Sequence, residues 1–497
     1  MTPTPKIRWL GICLMLALTA CSSGNKGAEL DVIYNRTAMD DRPDRNPVIV
    51  IPGILGSRLK DTDTDTTVWG AFVGGAADPQ NANGARLISL PIAEGRPLSS
   101  LQDNVVPDGV MEEIKIEILG IPIELKAYAA IMSTLGAGGY RDESFGLSGA
   151  LDYGSDHYTC FQYAFDWRRS NAENAAVLFQ FIQEQHAKVQ AEYEKRFGIK
   201  NAKVKFDIVA HSMGGLVTRY MLRYGNQPLP ADGSLPKLTW AGAKYVSRVV
   251  LVGTPNGGSA DALVDLVEGR DIGMPFLPFY QPALMGTFPA VYELLPRARH
   301  GHIIFDGDKN NPVKDLYDPA LWLRLGWGLA DPEEDKVLKN LLPDVETASV
   351  RRRIAIDLQA RILRNTRSFA AALDRPAYLP PGLEMVLVAG DATPTKKIVS
   401  IDSKTGELTV LEQGIGDGTV LRTSVLLDER EGGEWHPKVQ SPIDYTSAMF
   451  LPDDHLGLTQ SNTFRDNVLY WLLEAPNPGD PLPEVRRDAR SNNQSNN

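Results

Sequence analysis

The chain has 497 residues, 43% hydrophobic and 23% charged, an ordinary globular composition with material for a large core. Its length allows one elaborated domain or two to three ordinary ones. A formal charge of −11 (51 basic against 62 acidic residues) argues against a nucleic-acid binder, which needs a basic face to grip phosphates.

Residues 1–21 have the form of an export signal and are set apart from the fold. Lys6 and Arg8 form a positive start, and Trp9–Ala20 is apolar but too short to span a bilayer. The segment ends Leu18-Thr19-Ala20-Cys21, which resembles a bacterial lipobox. There Cys21 would be diacylated and become the mature N-terminus, with each buried acyl methylene worth about 0.8 kcal/mol of membrane binding. Ser22 and Ser23 follow with no acidic residue, which by resemblance to lipoprotein sorting signals favours a lipid-anchored protein of the outer membrane. Of the other cysteines, Cys13 lies in the signal and Cys160 alone in the mature body, so an internal disulfide is excluded there. Cys160 sits in a strand-like stretch and reads as a small buried apolar residue.

Residues 22–46 are polar and read as a flexible tether. PVIVIPGILGS (47–57) is a β-branched run closed by Pro-Gly, a buried strand entering a tight loop. Residues 58–126, rich in Gly, Asp and Pro, read as an irregular, lid-like insertion. From residue 127 helical and strand patterns alternate: AYAAIMSTLGAGGY helical, HYTCFQYAFDW a strand, Asn171–Phe197 a long helix, KFDIVAHS a strand, Met213–Tyr224 a helix, SRVVLVGTP a strand. Apolar strands separated by helices predict an α/β protein with a mostly parallel sheet covered on both faces. Residues 257–380 are mostly helical and too long for a connection, so they read as a cap inserted into the core. LEMVLVAGD (383–391) resumes the sheet, a hairpin follows around Lys404-Thr405-Gly406, and Pro442–Leu451 and a helix at 461–474 close the domain, which runs over 47–475. The tail 476–497 reads as disordered.

The strongest local signal is Ala210-His211-Ser212-Met213-Gly214-Gly215, between an apolar strand and a helix. It is a variant of the G-x-S-x-G nucleophile elbow with Ala210 in place of the first Gly. A serine on such a sharp turn needs small neighbours, and the helix start places the Met213 N–H beside a developing oxyanion. The serine needs a base, and the base an orienting acid, following in chain order Ser, Asp/Glu, His. Of the seven histidines, His157 and His186 precede Ser212, His211 adjoins it and points to the far side of the elbow, and His300 and His302 fall in the cap. His436 lies in a hydrophilic surface turn. His455, in LPDDHLGL between a strand-like run and the last helix, is the favoured base. For the acid, Asp417 in GIGDGTVL is favoured over Asp391 at the end of LVAGD, and Asp453 and Asp454 are expected to face solvent. The second oxyanion donor is assigned to the backbone N–H of Ile54 in IPGILG. RHGHIIFDGD is a weak metal motif, and neither a metal nor any other cofactor is called for.

With these residues in hand, the chain resembles the lecithin:cholesterol acyltransferase family, which includes lysosomal phospholipase A. The matching motifs are PVIVIPGILGSRL (47–59), FDWRR (165–169), IVAHSMGGL (208–216), LVGTPNGGS (251–259), GDGTV (416–420) and DDHLGLTQSN (453–462). The resemblance implies an α/β-hydrolase fold, Ser212 as nucleophile, Asp417 as acid, His455 as base, and an oxyanion hole from Ile54 and Met213. Trp69 is similar to the tryptophan at the edge of the family's lid, and Asp166 and Arg168 occupy an Asp-Trp-Arg motif read here as architectural. The implied activity is acyl transfer from a lipid ester at a membrane surface, through an acyl-enzyme, to water or an alcohol. The rival readings are an esterase or peptidase acting on non-lipid substrates and a catalytically inactive lipid-binding envelope lipoprotein. Nothing in the sequence specifies an oligomeric state.

Overall fold

The computed structural model describes residues 30–70, 76–111, 113–118, 121–126, 128–144, 157–270 and 279–478. The export signal with Cys21, the first residues of the expected tether and residues 479–497 of the expected tail lie outside them. Strand β1 (Val48–Ile51) is followed by β2 (Ser57–Asp61), β3 (Thr67–Trp69) and β4 (Val105–Val110), which form a small antiparallel sheet in the order β3-β2-β4. The region read as an irregular insertion therefore has a sheet of its own. Its strands are short, β2 buries the polar Ser57 and Asp61 at alternate positions and β4 is mostly exposed, so no apolar period of two shows in the sequence. A hairpin of β5 (Glu113–Ile118) and β6 (Ile121–Lys126) comes next.

The core strands are β1, β7 (Cys160–Gln162), β8 (Phe206–His211) and β9 (Val246–Val252). The cap contributes β10 (Ile303–Phe305) and β11 (Asp308–Pro312), and β12 (Glu384–Gly390) returns to the core. A long hairpin of β13 (Thr393–Ile401) and β14 (Leu408–Gly416) follows, and β15 (Ser447–Leu451) is the last strand. Among the described residues the central sheet has the order β15-β12-β9-β8-β1-β7, with every neighbouring pair parallel. Alternate side chains feed two cores: Ile49, Ile208, Val249 and Leu387 face one, and Val48, Val209, Val250 and Val388 the other. Burial on both faces is the reason these strands read as unbroken apolar runs.

The register brings the carboxyl ends of the strands together, pairing Ile51 with Ala210, His211 with Val252, Val252 with Val388, and Gly390 with Leu451. In an open parallel sheet this edge is where ligands bind.

Two boundaries differ from the sequence reading. Residues 30–46 do not hang free as a tether: Leu30 and Tyr34 are buried against Leu469 of the last helix, and the Tyr34 hydroxyl donates to Asp466. The cap does not stop at 380, because β10 pairs with β13, so the hairpin 393–416 completes the cap's sheet β11-β10-β13-β14. The longest cap helix, Ala348–Asp374, docks on the helix Met213–Tyr224, where Arg219 and Tyr224 donate to the Leu373 and Ala372 carbonyls at 2.8 Å each. Asp166 and Arg168 are architectural: the buried guanidinium pairs with Asp166 and Asp103 and donates to the Leu87 and Ile88 carbonyls.

Candidate active site

Strand β8 ends at His211, and the next residue turns the chain into the helix Met213–Tyr224. Ser212 makes that turn with φ 53° and ψ −127°, a conformation that costs a non-glycine residue on the order of 1–3 kcal/mol. The surroundings over-determine it. The Ser212 N–H donates to Val252 O at 2.7 Å, its carbonyl accepts from Gly215 N–H at 3.0 Å, and every residue of the helix that follows is buried. Met213 is the first residue of that helix, so its N–H has no intrahelical acceptor. The Ile54 N–H likewise makes no hydrogen bond among the described residues.

His455 lies in the loop after β15. Its Nε2 is 2.9 Å from Ser212 Oγ and its Nδ1 is 2.8 Å from Asp417 Oδ2. Asp417 is buried, and its second oxygen accepts from the N–H groups of Thr419 (3.0 Å) and Val420 (2.7 Å). Burial opposes charge on this carboxyl. The adjoining His455 and the two N–H donors outweigh it and hold the group below its ordinary range, so it is ionised at neutral pH. An ionised Oδ2 accepts a hydrogen bond from Nδ1–H, which leaves the Nε2 lone pair directed at Ser212 Oγ. Gly253 makes room for the ring: its φ is +59°, and a Cβ there would lie 3.2 Å from His455 Cε1 and Nδ1.

The other acids and histidines named from the sequence lie in different surroundings. Asp391 leaves the end of β12 toward Arg422, 4.0 Å away, and is not the partner of His455. Between Asp391 and Asp417 the β13–β14 hairpin makes its excursion and returns, so that Thr393 bridges to Asp417. Asp454 is exposed and accepts from Gly457 N–H. His436 lies in a loop where its carbonyl accepts from Arg430. His157 sits 3.4 Å from Asp41, His186 packs on Tyr245, and His300 and His302 approach Glu429 and Glu431. Cys160 is buried in β7, and burial pushes its thiol well above the ordinary range. Trp69 is buried, its indole N–H donating to Leu55 O at 2.8 Å, and it stands edge-on to Trp167 and Tyr280. With Ile54, Met285 and Phe288, and with Asp265 and Arg270 also at its wall, these rings line a small cavity beside the Pro52–Gly56 loop.

One part of the arrangement has no local signal in the sequence. Tyr128, just before the helix Ala129–Ala137, accepts from the Gly53 N–H and contacts His211. The three residues are brought together only by the fold.

Comparison with known proteins adds to this geometry. Residues 151–318 match the lecithin:cholesterol acyltransferase family. The span holds β7, β8, the Ser212 turn and β9, and over it the family resemblance read from the sequence is borne out. The chain matches no curated protein. Among solved structures it is similar to one titled the Tle4–Tli4 complex, with 16% identity, 87% of this chain and 98% of that chain covered, and a TM-score of 0.53. It also aligns with lipase 1 from Pelosinus fermentans (13% identity, 87% and 100% covered, TM-score 0.32). A third alignment is with the mature lipase BlEst2 of Bacillus licheniformis (11% identity, 87% and 94% covered, TM-score 0.29). Of the three, only the first bears on the fold. The fold is that of the α/β-hydrolases, and the family match supports a lipid-acting hydrolase or acyltransferase.

Proposed function

We propose that the protein is a serine enzyme that transfers an acyl group from a lipid ester through an acyl-enzyme. The observation that carries this reading is the unbroken contact Asp417–His455–Ser212, at 2.8 and 2.9 Å, on a serine held at positive φ. Ser212 Oγ attacks the ester carbonyl carbon as His455 Nε2 takes its proton, and the ionised Asp417 stabilises the resulting imidazolium. The oxyanion is received by the Met213 and Ile54 N–H groups; one such donor is typically worth about 3 kcal/mol in the transition state. The carbonyl re-forms, the ester's alcohol leaves with the proton from His455, and acyl-Ser212 remains. Water then gives a free fatty acid, or an acceptor alcohol a new ester. The side chains of Trp69, Trp167, Tyr280 and Phe288, around a small cavity beside Ile54, offer apolar surface of the kind an acyl chain packs on.

The same reading places the enzyme at a membrane surface of the cell envelope, anchored through a lipidated Cys21. Metabolic labelling with palmitate tests the anchor, and label retained by Cys21→Ser would sink it. For the chemistry, the test is labelling by a fluorophosphonate probe, followed by incubation with radiolabelled phospholipid with and without added alcohols. Ser212→Ala should lose probe labelling and reduce turnover by roughly 10⁴ while keeping the wild-type melting temperature. Half the wild-type turnover in that variant would overturn the serine assignment.

A further inference from the structure

We infer that Tyr128 and His211 are positioning residues, forming a hydrogen-bonded strap that fixes the oxyanion loop and the His455 backbone relative to each other across the back of Ser212. The inference rests on the serine reading above and assigns work to the histidine beside the nucleophile, which the sequence had set aside.

The strap has four members. The Gly53 N–H donates to the Tyr128 hydroxyl oxygen at 2.7 Å, the hydroxyl lies 2.9 Å from His211 Nδ1, and His211 Nε2 lies 2.9 Å from the His455 carbonyl oxygen. Two of the three contacts admit one direction only. The His455 carbonyl can only accept, so His211 Nε2 carries a proton. Gly53 N–H can only donate to the hydroxyl oxygen, and the Tyr128 proton finds its acceptor at a bare Nδ1, the form that burial of the ring favours. His211 is therefore neutral in one tautomer. Its burial, with His455 beside it, agrees with this by pushing its pKa down to about 3. Tyr128 and His211 are both buried, so little solvent competes for the bonds between Gly53, Tyr128 and His211.

The strap's ends lie on the two loops whose placement the chemistry needs. At one end Gly53 touches the nucleophile: a Cβ there would lie 2.7 Å from Ser212 Cβ and 3.2 Å from its Oγ. Because Tyr128 occupies the Gly53 N–H, the next amide, that of Ile54, is left for the oxyanion. At the other end the His455 main chain is held twice, its N–H on the Asp417 carbonyl at 2.9 Å and its own carbonyl on His211. The imidazole then extends from a backbone fixed on both sides. Small errors in such placement cost rate more than binding.

The experiment measures kcat, KM and melting temperature of the full-length protein on p-nitrophenyl octanoate, together with the second-order rate of fluorophosphonate labelling. Tyr128→Phe removes only the hydroxyl. It should lower kcat and the labelling rate by about tenfold while KM stays within about twofold. His211→Gln keeps an amide donor for the His455 carbonyl but loses the ring acceptor, and it should give a similar loss. The double variant should be no slower than the slower single variant, because both cut the same strap. Losses that multiply in the double variant, or Tyr128→Phe within twofold of wild type in both rates, would overturn the strap. If Tyr128→Phe does not fold, His211→Gln decides by the same twofold criterion. Ser212→Ala keeps the two readings apart. Wild-type turnover in Ser212→Ala sinks the serine reading, whereas an inactive Ser212→Ala beside a fully active Tyr128→Phe sinks only the strap.

Discussion

Ser212 is held by its immediate sequence neighbours: a strand brings it, a helix leaves it, and its own N–H is tied to the next strand. Asp417 comes to the same point by a detour. The chain reaches the edge of the sheet at Gly390, runs out through β13 into the cap's sheet, returns along β14, and only then presents the carboxylate. A local device can be recognised from a handful of consecutive residues. A carboxylate delivered by a long excursion is placed by packing between distant segments.

The contrast can be broken most directly at the acid. Asp417→Asn should lower kcat by about 10³-fold or more, since the amide can no longer hold His455 in the needed tautomer, while Asp391→Asn should stay within a few-fold of wild type. Steady-state kinetics of both variants check this, and the reverse order would transfer the role to Asp391. A smaller effect is expected where the base meets the sheet. Gly253→Ala adds a methyl group 3.2 Å from the His455 ring at φ +59°, and should cost between about 10-fold and 100-fold in kcat by displacing the imidazole. Its fluorophosphonate labelling rate should fall in parallel.

The smallest effect concerns stability. His211 has its pKa lowered to about 3 in the folded chain against 6.5 when exposed, so between these values the unfolded state binds the extra proton. Its contribution is fully present above pH 6.5 and is lost as the pH falls toward about 3, at a slope of at most about 1.4 kcal/mol per pH unit. Asp417, also lowered, acts in the same direction but in the window below 3.8. Urea midpoints measured from pH 7 to pH 4 should therefore fall less steeply for His211→Gln than for wild type. Parallel curves would show that His211 is not held neutral by burial.

The same contrast explains what was legible in the sequence. The strands around Val209, Val250 and Val388 announced themselves because both their faces are buried, and the helix Met213–Tyr224 because it starts at the elbow and ends at a glycine. Asp417 was favoured over Asp391 without a decisive local signal, because each follows directly on a strand, Asp391 on β12 and Asp417 on β14. Residues 58–126 read as irregular because the short strand β2 buries polar Ser57 and Asp61 and β4 is mostly exposed, so neither shows an apolar period. Residues 30–46 read as a tether because nothing local says that Leu30 and Tyr34 meet the last helix. Tyr128 was out of reach for the same reason: it lies 75 positions from Gly53 and 83 from His211, and its only distinguishing property is what it touches.

The β13–β14 excursion has a further consequence. Its two ends touch, since Thr393 bridges to Asp417 at the point where the chain left the sheet. A segment that departs from and rejoins one spot is modular. The entropy of closing a loop grows only slowly with its length, so such a segment can be lengthened, shortened or redecorated with little change in the geometry at its base. The carboxylate at the foot of the hairpin thus keeps its place beside His455, while the outer reach of the hairpin is set by its pairing with β10.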